Sequence, residues 1–238
     1  MNRRVIALIP AFNESRKIGK VVSKIPRSLV EEIVVIDDGS SDGTAEEAKG
    51  KGAHVIRHPK TLGVGVALPN GIEYARERGA EVAVILAGND KDHPPEISKL
   101  LQAIFEEGFD FVQGSRYLNG GLYGKMPFYR ILATRYVHPL LFSLITGKRI
   151  TDSTNGFRAF RLALFKDERL RIQQDWLDRY ELEPYLYYKA IRLGYRVKEV
   201  PVTKVYPPKA LGYTKMKPIT GWWSILKPIV YLGLGIKK

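Results

Sequence analysis

Carboxylates crowd together at two places in the chain, Asp37-Asp38-Gly39-Ser40-Ser41-Asp42-Gly43-Thr44 and Asp90-Lys91-Asp92. Each follows a short apolar run, so each is expected at the tip of a buried strand. Carboxylates there suit ribose hydroxyls or a divalent cation, and the glycines of the first stretch permit a tight turn close to a ligand. Asp, Gly, Ser and Thr are also what ordinary turns and helix caps use, so a purely structural reading of that stretch carries equal weight. Asp90 and Asp92, one residue apart, can converge on one hard cation, which would offset charge developing on a diphosphate leaving group. A solvated acidic turn is the plainer alternative. Arg116, Arg130 and Arg135 fall just before or on an amphipathic helix, and arginine's fork suits phosphate. An anionic phosphate nucleophile needs orientation of that kind and no general base. A hydroxyl acceptor would need a base, for which Asp178 and Glu181 are the candidates, although an ordinary helix start would place them there too. Leu62-Gly63-Val64-Gly65 fits neither the Walker loop nor a dinucleotide fingerprint and reads as glycine-turn geometry near Lys60.

The elements that must position these groups alternate in the first half. Val5–Ile9, Ile33–Ile36, His54–Arg57 and Val82–Leu86 read as strands, apolar almost throughout. Arg16–Lys24, Thr44–Lys51, Val66–Arg78 and Pro94–Glu107 read as helices, the first capped by Asn13 or Ser15 and the last entered through paired prolines. Strands of this kind separated by helices indicate a mostly parallel sheet covered on both faces, with ligands at the carboxyl ends of its strands. The second half is less regular. Tyr129–Ile145 has a long helical pattern, Asn155–Phe160 a strand or turn, Arg179–Leu193 a helix and Val197–Val202 a strand. A lysine-rich loop then runs from Tyr206 to Lys217. No repeat or linker divides the chain.

The 238 residues are 45% hydrophobic and carry a net charge of +13. That is enough apolar material for a sizeable core, and the excess of cations favours polyanionic partners: nucleic acid, anionic headgroups or phosphorylated substrates. No nucleic-acid motif accompanies the charge, so a nucleic-acid partner is not expected. The chain has no cysteine, which excludes disulfides and thiolate metal sites. No secretory signal pattern opens it, and no apolar run reaches the roughly 18 residues of a spanning helix. The segment 218–238 places Trp222, Trp223, Ile225, Leu226, Ile229, Val230 and Leu232 beside Lys227, Lys237 and Lys238. It reads as an interfacial membrane anchor following a catalytic unit of residues 1–217, the alternative being a helix packed on the core.

Taken in order, Ile9-Pro10-Ala11-Phe12-Asn13-Glu14 and Val34–Thr44 resemble the opening of glycosyltransferase family 2. His93-Pro94-Pro95-Glu96, Gly114-Ser115-Arg116-Tyr117, Gly120–Gly124 and Asp152–Arg158 resemble, within it, the dolichyl-phosphate mannose synthases and related polyprenyl-phosphate sugar transferases. The resemblance spans residues 4 to 217. It implies a GT-A fold, an α/β Rossmann-like arrangement followed by amphipathic C-terminal helices, and inverting transfer from a nucleotide-diphosphate sugar to a lipid phosphate. GDP-mannose is the favoured donor and UDP-glucose or another UDP-sugar the runner-up. Pro10, Ala11, Asn13 and Glu14 would line the nucleoside pocket, with Asp37 on base or ribose and Asp38 nearby. Asp90 matches the last acid of the family's DxD motif, whereas its first acid falls on Gly88, a departure. Asp92 falls where the mannose synthases carry a metal-contacting glutamine, so Asp90 and Asp92 are expected to hold Mg2+ or Mn2+. Arg116 and Arg130 match acceptor-phosphate clamps. Lys209 and Lys215 would stand in for an arginine of the loop that closes over the diphosphate. A lipid acceptor implies peripheral attachment to the cytoplasmic face of a membrane. No oligomeric state follows from these residues.

Overall fold

The computed structural model describes residues 3–208, 210 and 220–237. A seven-stranded sheet forms its centre, in the order β3-β2-β1-β4-β7-β5-β8. Its strands are β1 (Val5–Ala11), β2 (Glu32–Asp37), β3 (His54–Arg57), β4 (Val82–Ile85), β5 (Phe111–Ser115), β7 (Arg158–Arg161) and β8 (Val197–Pro201). All neighbours are parallel except β7, which runs antiparallel between β4 and β5. A separate two-stranded ribbon pairs β6 (Leu122–Gly124) with β9 (Thr203–Val205).

The pleat sends alternate side chains of each strand into two cores. Val5, Ala7 and Ile9 of β1 join Ile18, Val21 and Val22 of α1 (Ser15–Lys24) and Leu100 and Ile104 of α4 (Ile97–Phe105) on one face. Ile6 and Leu8 join Ala67, Leu68 and Ile72 of α3 (Val64–Glu77), Phe142 of α6 (His138–Thr146) and Leu182 and Leu186 of α7 (Leu182–Arg192) on the other. Continuous apolar strands therefore mean burial on both sides, as their composition predicts. α2 (Thr44–Gly50) packs against α1. The predicted helix over Pro94–Glu107 is a turn of 3-10 helix, Pro94–Glu96, followed by α4.

The sequence reading assigns Gly114–Tyr117 as a motif without an element. Phe111–Ser115 is in fact β5, every residue of it buried. The predicted helix Tyr129–Ile145 is three consecutive pieces: α5 (Phe128–Leu132), a π-helical stretch Ala133–Val137, and α6. Along it Arg130, Thr134 and His138, four residues apart, face inward and are buried, whereas Phe128, Leu132, Tyr136, Leu140 and Leu144 are exposed.

The C-terminal segment forms α8 (Thr220–Gly233). Its Ile229 and Leu232 belong to the core cluster of Phe142 and Leu182, Tyr231 packs on Trp176, and Lys227 forms an ion pair with buried Glu181 at 2.9 Å. The helix thus has one side packed on the rest of the fold, leaving Trp223 half exposed on the other. Among the described residues no helix is long and apolar enough to cross a membrane.

Candidate active site

The strand order reverses between β1 and β4, and there the helical connections diverge and leave a crevice at the strands' carboxyl ends. A cavity of about 600 Å3 occupies it. Its walls come from the tips of β1 (Pro10, Ala11, Phe12) and β4 (Leu86–Asn89), the N-terminus of α3, the Ser153–Arg158 stretch, β9 and the start of α8.

On the β1–β2 side, the acidic loop is held mostly by backbone N–H groups and side chains of neighbouring turns. Asp38 is buried, and its carboxylate accepts the backbone N–H groups of Leu62 and Gly63, each at 2.8 Å, and His58 Nδ1 at 2.9 Å. Because His58 Nε2 accepts from Asn70 Nδ2 at 2.9 Å, the ring proton sits on Nδ1 and points to Asp38. Asp37, fully buried, accepts the Ser40 N–H at 3.1 Å and faces Arg57 Nε at 3.4 Å. The expected side-chain cap of α1 by Asn13 or Ser15 is not the one found. Glu14 holds the N-cap position, and its N–H donates to Thr44 Oγ1 at 2.8 Å while the Ser15 N–H donates to Asp42 Oδ2 at 3.1 Å. Asn13, at φ 51°, receives the Ser41 N–H on its side chain at 2.9 Å. The orphan amides of α1 are therefore satisfied from the neighbouring loop rather than from within, and the turn-and-cap reading describes Ser40, Asp42 and Thr44. Of the six residues expected around the nucleoside, Pro10, Ala11, Glu14 and Asp38 line the cavity, and Asn13 and Asp37 do not. Glu14 is ion-paired with Lys17. The Gly63–Gly65 turn is structural, since a Cβ on Gly65 would lie inside the carbonyl oxygen of Leu177.

At the tip of β4 the acids meet cations instead. Asp90, at φ 55°, accepts from Lys24 Nζ at 2.8 Å on the half-exposed side of α1. Asp92 is buried, with one oxygen on Lys204 Nζ and the other accepting the Ala87 N–H at 3.2 Å. Different lysines hold the two carboxylates expected to share an ion, and neither carboxylate lines the cavity. What lines it is Lys91, buried, with its ammonium 4.2 Å from the Tyr206 ring centroid. Burial first, then the charges of Lys204 and Arg130, push the Lys91 ammonium down to about 7. Gly88 is explained by packing. A Cβ there would sit 3.1 Å from Ala11 Cβ and 3.2 Å from Ile18 Cδ1, so the place of the family's first acid is crowded by the junction of β1 and α1.

The arginine side is built from β5, β7 and the inward face of α5. Glu199 on β8 accepts the N–H groups of Thr151 and Asp152, each at 2.8 Å, which fixes Asp152. Burial raises the Glu199 carboxyl above its usual range. Asp152 grips Arg116 through Nε at 2.6 Å and Nη2 at 2.7 Å, and Nη2 also reaches Thr154 Oγ1 at 2.7 Å. Burial alone would lower the guanidinium's affinity for its proton, but the Asp152 charge outweighs that and holds it above its ordinary value. Arg116 lines the cavity with its charge already balanced. Arg130 also lines it, buried, hydrogen-bonded through Nη1 to Tyr206 Oη at 3.0 Å and with no carboxylate partner among the described residues. Arg135 points elsewhere, to Tyr123 Oη at 3.0 Å.

Lys204 and Glu96 are among the residues to which the sequence assigns no role. Lys204 lies in a lysine-bearing strand with no motif around it, and Asn155 holds its ammonium at 3.0 Å. Glu96 of the Pro94-Pro95-Glu96 turn accepts the Thr203 N–H at 2.6 Å and so anchors the strand that carries Lys204. Lys209 and Lys215 lie outside the described residues.

The Glycosyl transferase family 2 profile matches residues 6–170. The chain belongs to that family. It is 31% identical to the polyprenol monophosphomannose synthase of Mycolicibacterium smegmatis, over 90% of this chain and 81% of that one. It is 30% identical to the UDP-N-acetylglucosamine–dolichyl-phosphate N-acetylglucosaminyltransferase of Methanococcus voltae, over 86% and 87%. In fold it is similar to glucosyl-3-phosphoglycerate synthase from Mycobacterium tuberculosis, solved with Mn2+, UDP and glucosyl-3-phosphoglycerate, at a TM-score of 0.68 and 21% identity over 96% of this chain and 81% of that one. The fold is thus GT-A, as the resemblance implies. For the divalent cation, the donor set of this chain does not fit. Gly88 offers no ligand, Asp90 turns to Lys24, and both oxygens of Asp92 are engaged, one by Lys204 and the other by the Ala87 N–H.

Proposed function

We propose that this family 2 glycosyltransferase moves a sugar from a nucleoside-diphosphate donor to a polyprenyl phosphate, with GDP-mannose as donor. The observation that carries the reading is the charge arrangement of the cavity. Its lining carboxylates are all engaged: Glu14 by Lys17, Asp38 by amides and His58, Glu183 by Arg158 at 3.5 Å. None is poised as a base for a hydroxyl acceptor, and the two candidates outside it serve other ends. Glu181 holds Lys227, and Asp178 is half exposed beside Arg179. A phosphate acceptor needs no base, only orientation by a cation, and Arg130 supplies one in a site shielded from water. The phosphate oxygen then displaces the nucleoside diphosphate at the anomeric carbon in one step, which inverts that carbon.

The consecutive helical pieces from α5 to α6 that turn Arg130 inward present Phe128 (79% exposed), Leu140 (62%) and Leu144 (70%) outward. An apolar stripe beside the phosphate clamp is where a lipid's chain would meet a bilayer, and this stripe, together with Trp223, replaces the C-terminal segment alone as the proposed membrane contact. The test is a donor panel of GDP-mannose, UDP-glucose and UDP-N-acetylglucosamine with a short polyprenyl phosphate, read by the mass of the lipid product. Lipid-linked hexose from GDP-mannose is expected, and Arg130→Ala should lower its rate by about 100-fold while nucleotide binding stays within about twofold. No lipid-linked sugar from any donor would sink the reading.

A further inference from the structure

The acidic loop after β4 and the strand β9 are clamped together by more than side chains. Asp92 and Lys204 form an isolated antiparallel bridge, and the Val205 N–H donates to the Lys91 carbonyl at 2.9 Å. Glu96 fixes the next residue back, Thr203, through its N–H. Lys204 Nζ is held between Asp92 and Asn155, both buried. Asn155 is itself fixed, donating from Nδ2 to the Gly114 carbonyl at 3.1 Å and accepting the Gln113 amide on its backbone at 2.7 Å. A buried ammonium this well placed, on the cavity wall beside Lys91, is a built feature rather than a surface lysine folded inward. It stands against the carboxylate that the family resemblance assigns to a metal.

We propose that Lys204 and Lys91 take the charge-neutralising place of a divalent cation, so that this chain binds and expels the donor's diphosphate without a metal. The inference rests on the donor reading above. In the step, an acceptor-phosphate oxygen forms a bond to the anomeric carbon as the bond from that carbon to the β-phosphate oxygen breaks. The bonding pair leaves with the nucleoside diphosphate, no proton moves, and the added negative charge falls beside Lys91 and beside Lys204, whose ammonium shares its charge with Asp92. Asp92 is then a positioning residue for Lys204, and Gly88 is no loss because no ion needs its ligand. A compact ammonium serves here as the ion would, as a point charge with several donors.

Calorimetric titration of the full chain with GDP and UDP, first in EDTA and then in excess Mn2+, tests this. At least one nucleotide is expected to bind in EDTA, with a Kd within about threefold of its Mn2+ value, and Lys204→Met should weaken that binding at least about tenfold while Lys204→Arg keeps most of it. Thermal unfolding checks that each variant is folded, and Lys91→Met, expected to show a similar loss, serves if Lys204→Met is not. Binding that appears only with Mn2+ overturns the proposal and leaves the donor reading standing. So does a Lys204→Met variant that binds as tightly as the parent, or more tightly once Mn2+ is added, because Lys204 would then merely block a metal seat. If neither nucleotide binds in either condition, the donor reading itself fails and this one falls with it.

Discussion

The loops after β2 and β4 look alike in sequence, each a short acidic run at the end of an apolar strand, yet they do opposite things with their carboxylates. In the first, Asp38 collects two amide N–H groups and the His58 imidazole, Asp42 caps a helix, and only Asp37 faces a cation, Arg57. In the second, Asp90 and Asp92 each collect a lysine ammonium. The difference lies in what is brought opposite. The first loop faces backbone that runs past it, Leu62-Gly63 and the N-terminus of α1, and so becomes scaffold. The second faces α1's last turn and β9, both carrying lysines, and so becomes an electrostatic seat. Spacing between carboxylates sets how they could be used, and the neighbouring element decides how they are.

Three measurements would break or sharpen that contrast. The largest effect belongs to the scaffold loop. Asp38→Ala leaves two buried amides and His58 without their acceptor, and should cost on the order of 3–5 kcal/mol of unfolding free energy in urea. A loss under about 1 kcal/mol would show that Asp38 is not holding that loop. Next comes His138, on the arginine side, which bridges Ser153 Oγ at 2.6 Å and the Ile225 carbonyl at 3.2 Å and so ties α8 to the site. Burial lowers its pKa from 6.5 to about 4. Above 6.5 it is neutral folded or unfolded and stability is intact; below, only the unfolded chain takes up the proton. Stability should therefore fall as pH drops from 6.5 to about 4 by roughly 3 kcal/mol, a slope that His138→Gln removes. An unchanged slope in that variant would assign the loss to other groups. The smallest effect is expected at Asp90→Asn, which keeps a residue type tolerant of φ 55° and gives up only a half-exposed pair with Lys24. Stability should change by less than about 1 kcal/mol and nucleotide affinity by less than about twofold. A tenfold loss of affinity there would restore Asp90 as a ligand of donor or ion and erase the distinction between the loops.

Much of the fold is legible because β1, β2 and β4 are buried on both faces and so read as apolar runs, whereas the edge strand β3, His54–Arg57, is only partly buried. β5 was missed because Phe111–Ser115 ends in Gln113, Gly114 and Ser115, polar or small residues that are buried for specific reasons. Gln113 bonds the Asn155 carbonyl, and a Cβ on Gly114 would meet the Phe157 carbonyl oxygen at 2.7 Å. The site was legible as a set of places and less so as a set of roles. Pro10, Ala11, Glu14, Asp38, Arg116 and Arg130 do reach the cavity. That Arg116 is neutralised by Asp152 depends on Glu199 positioning a residue 47 places earlier. No spacing rule covers such a separation.

By itself the sequence determined the alternation of elements, the crevice at the strand ends and the excess of positive charge, because hydrophobic period and charge are local properties of the chain. Only the tertiary structure decided which cation faces which acid. Lys204 and Asp92 are 112 positions apart, and they become partners because β9 folds back along the loop after β4. Pairing of buried charges is fixed by where strands end in space, a quantity that no window along the chain contains.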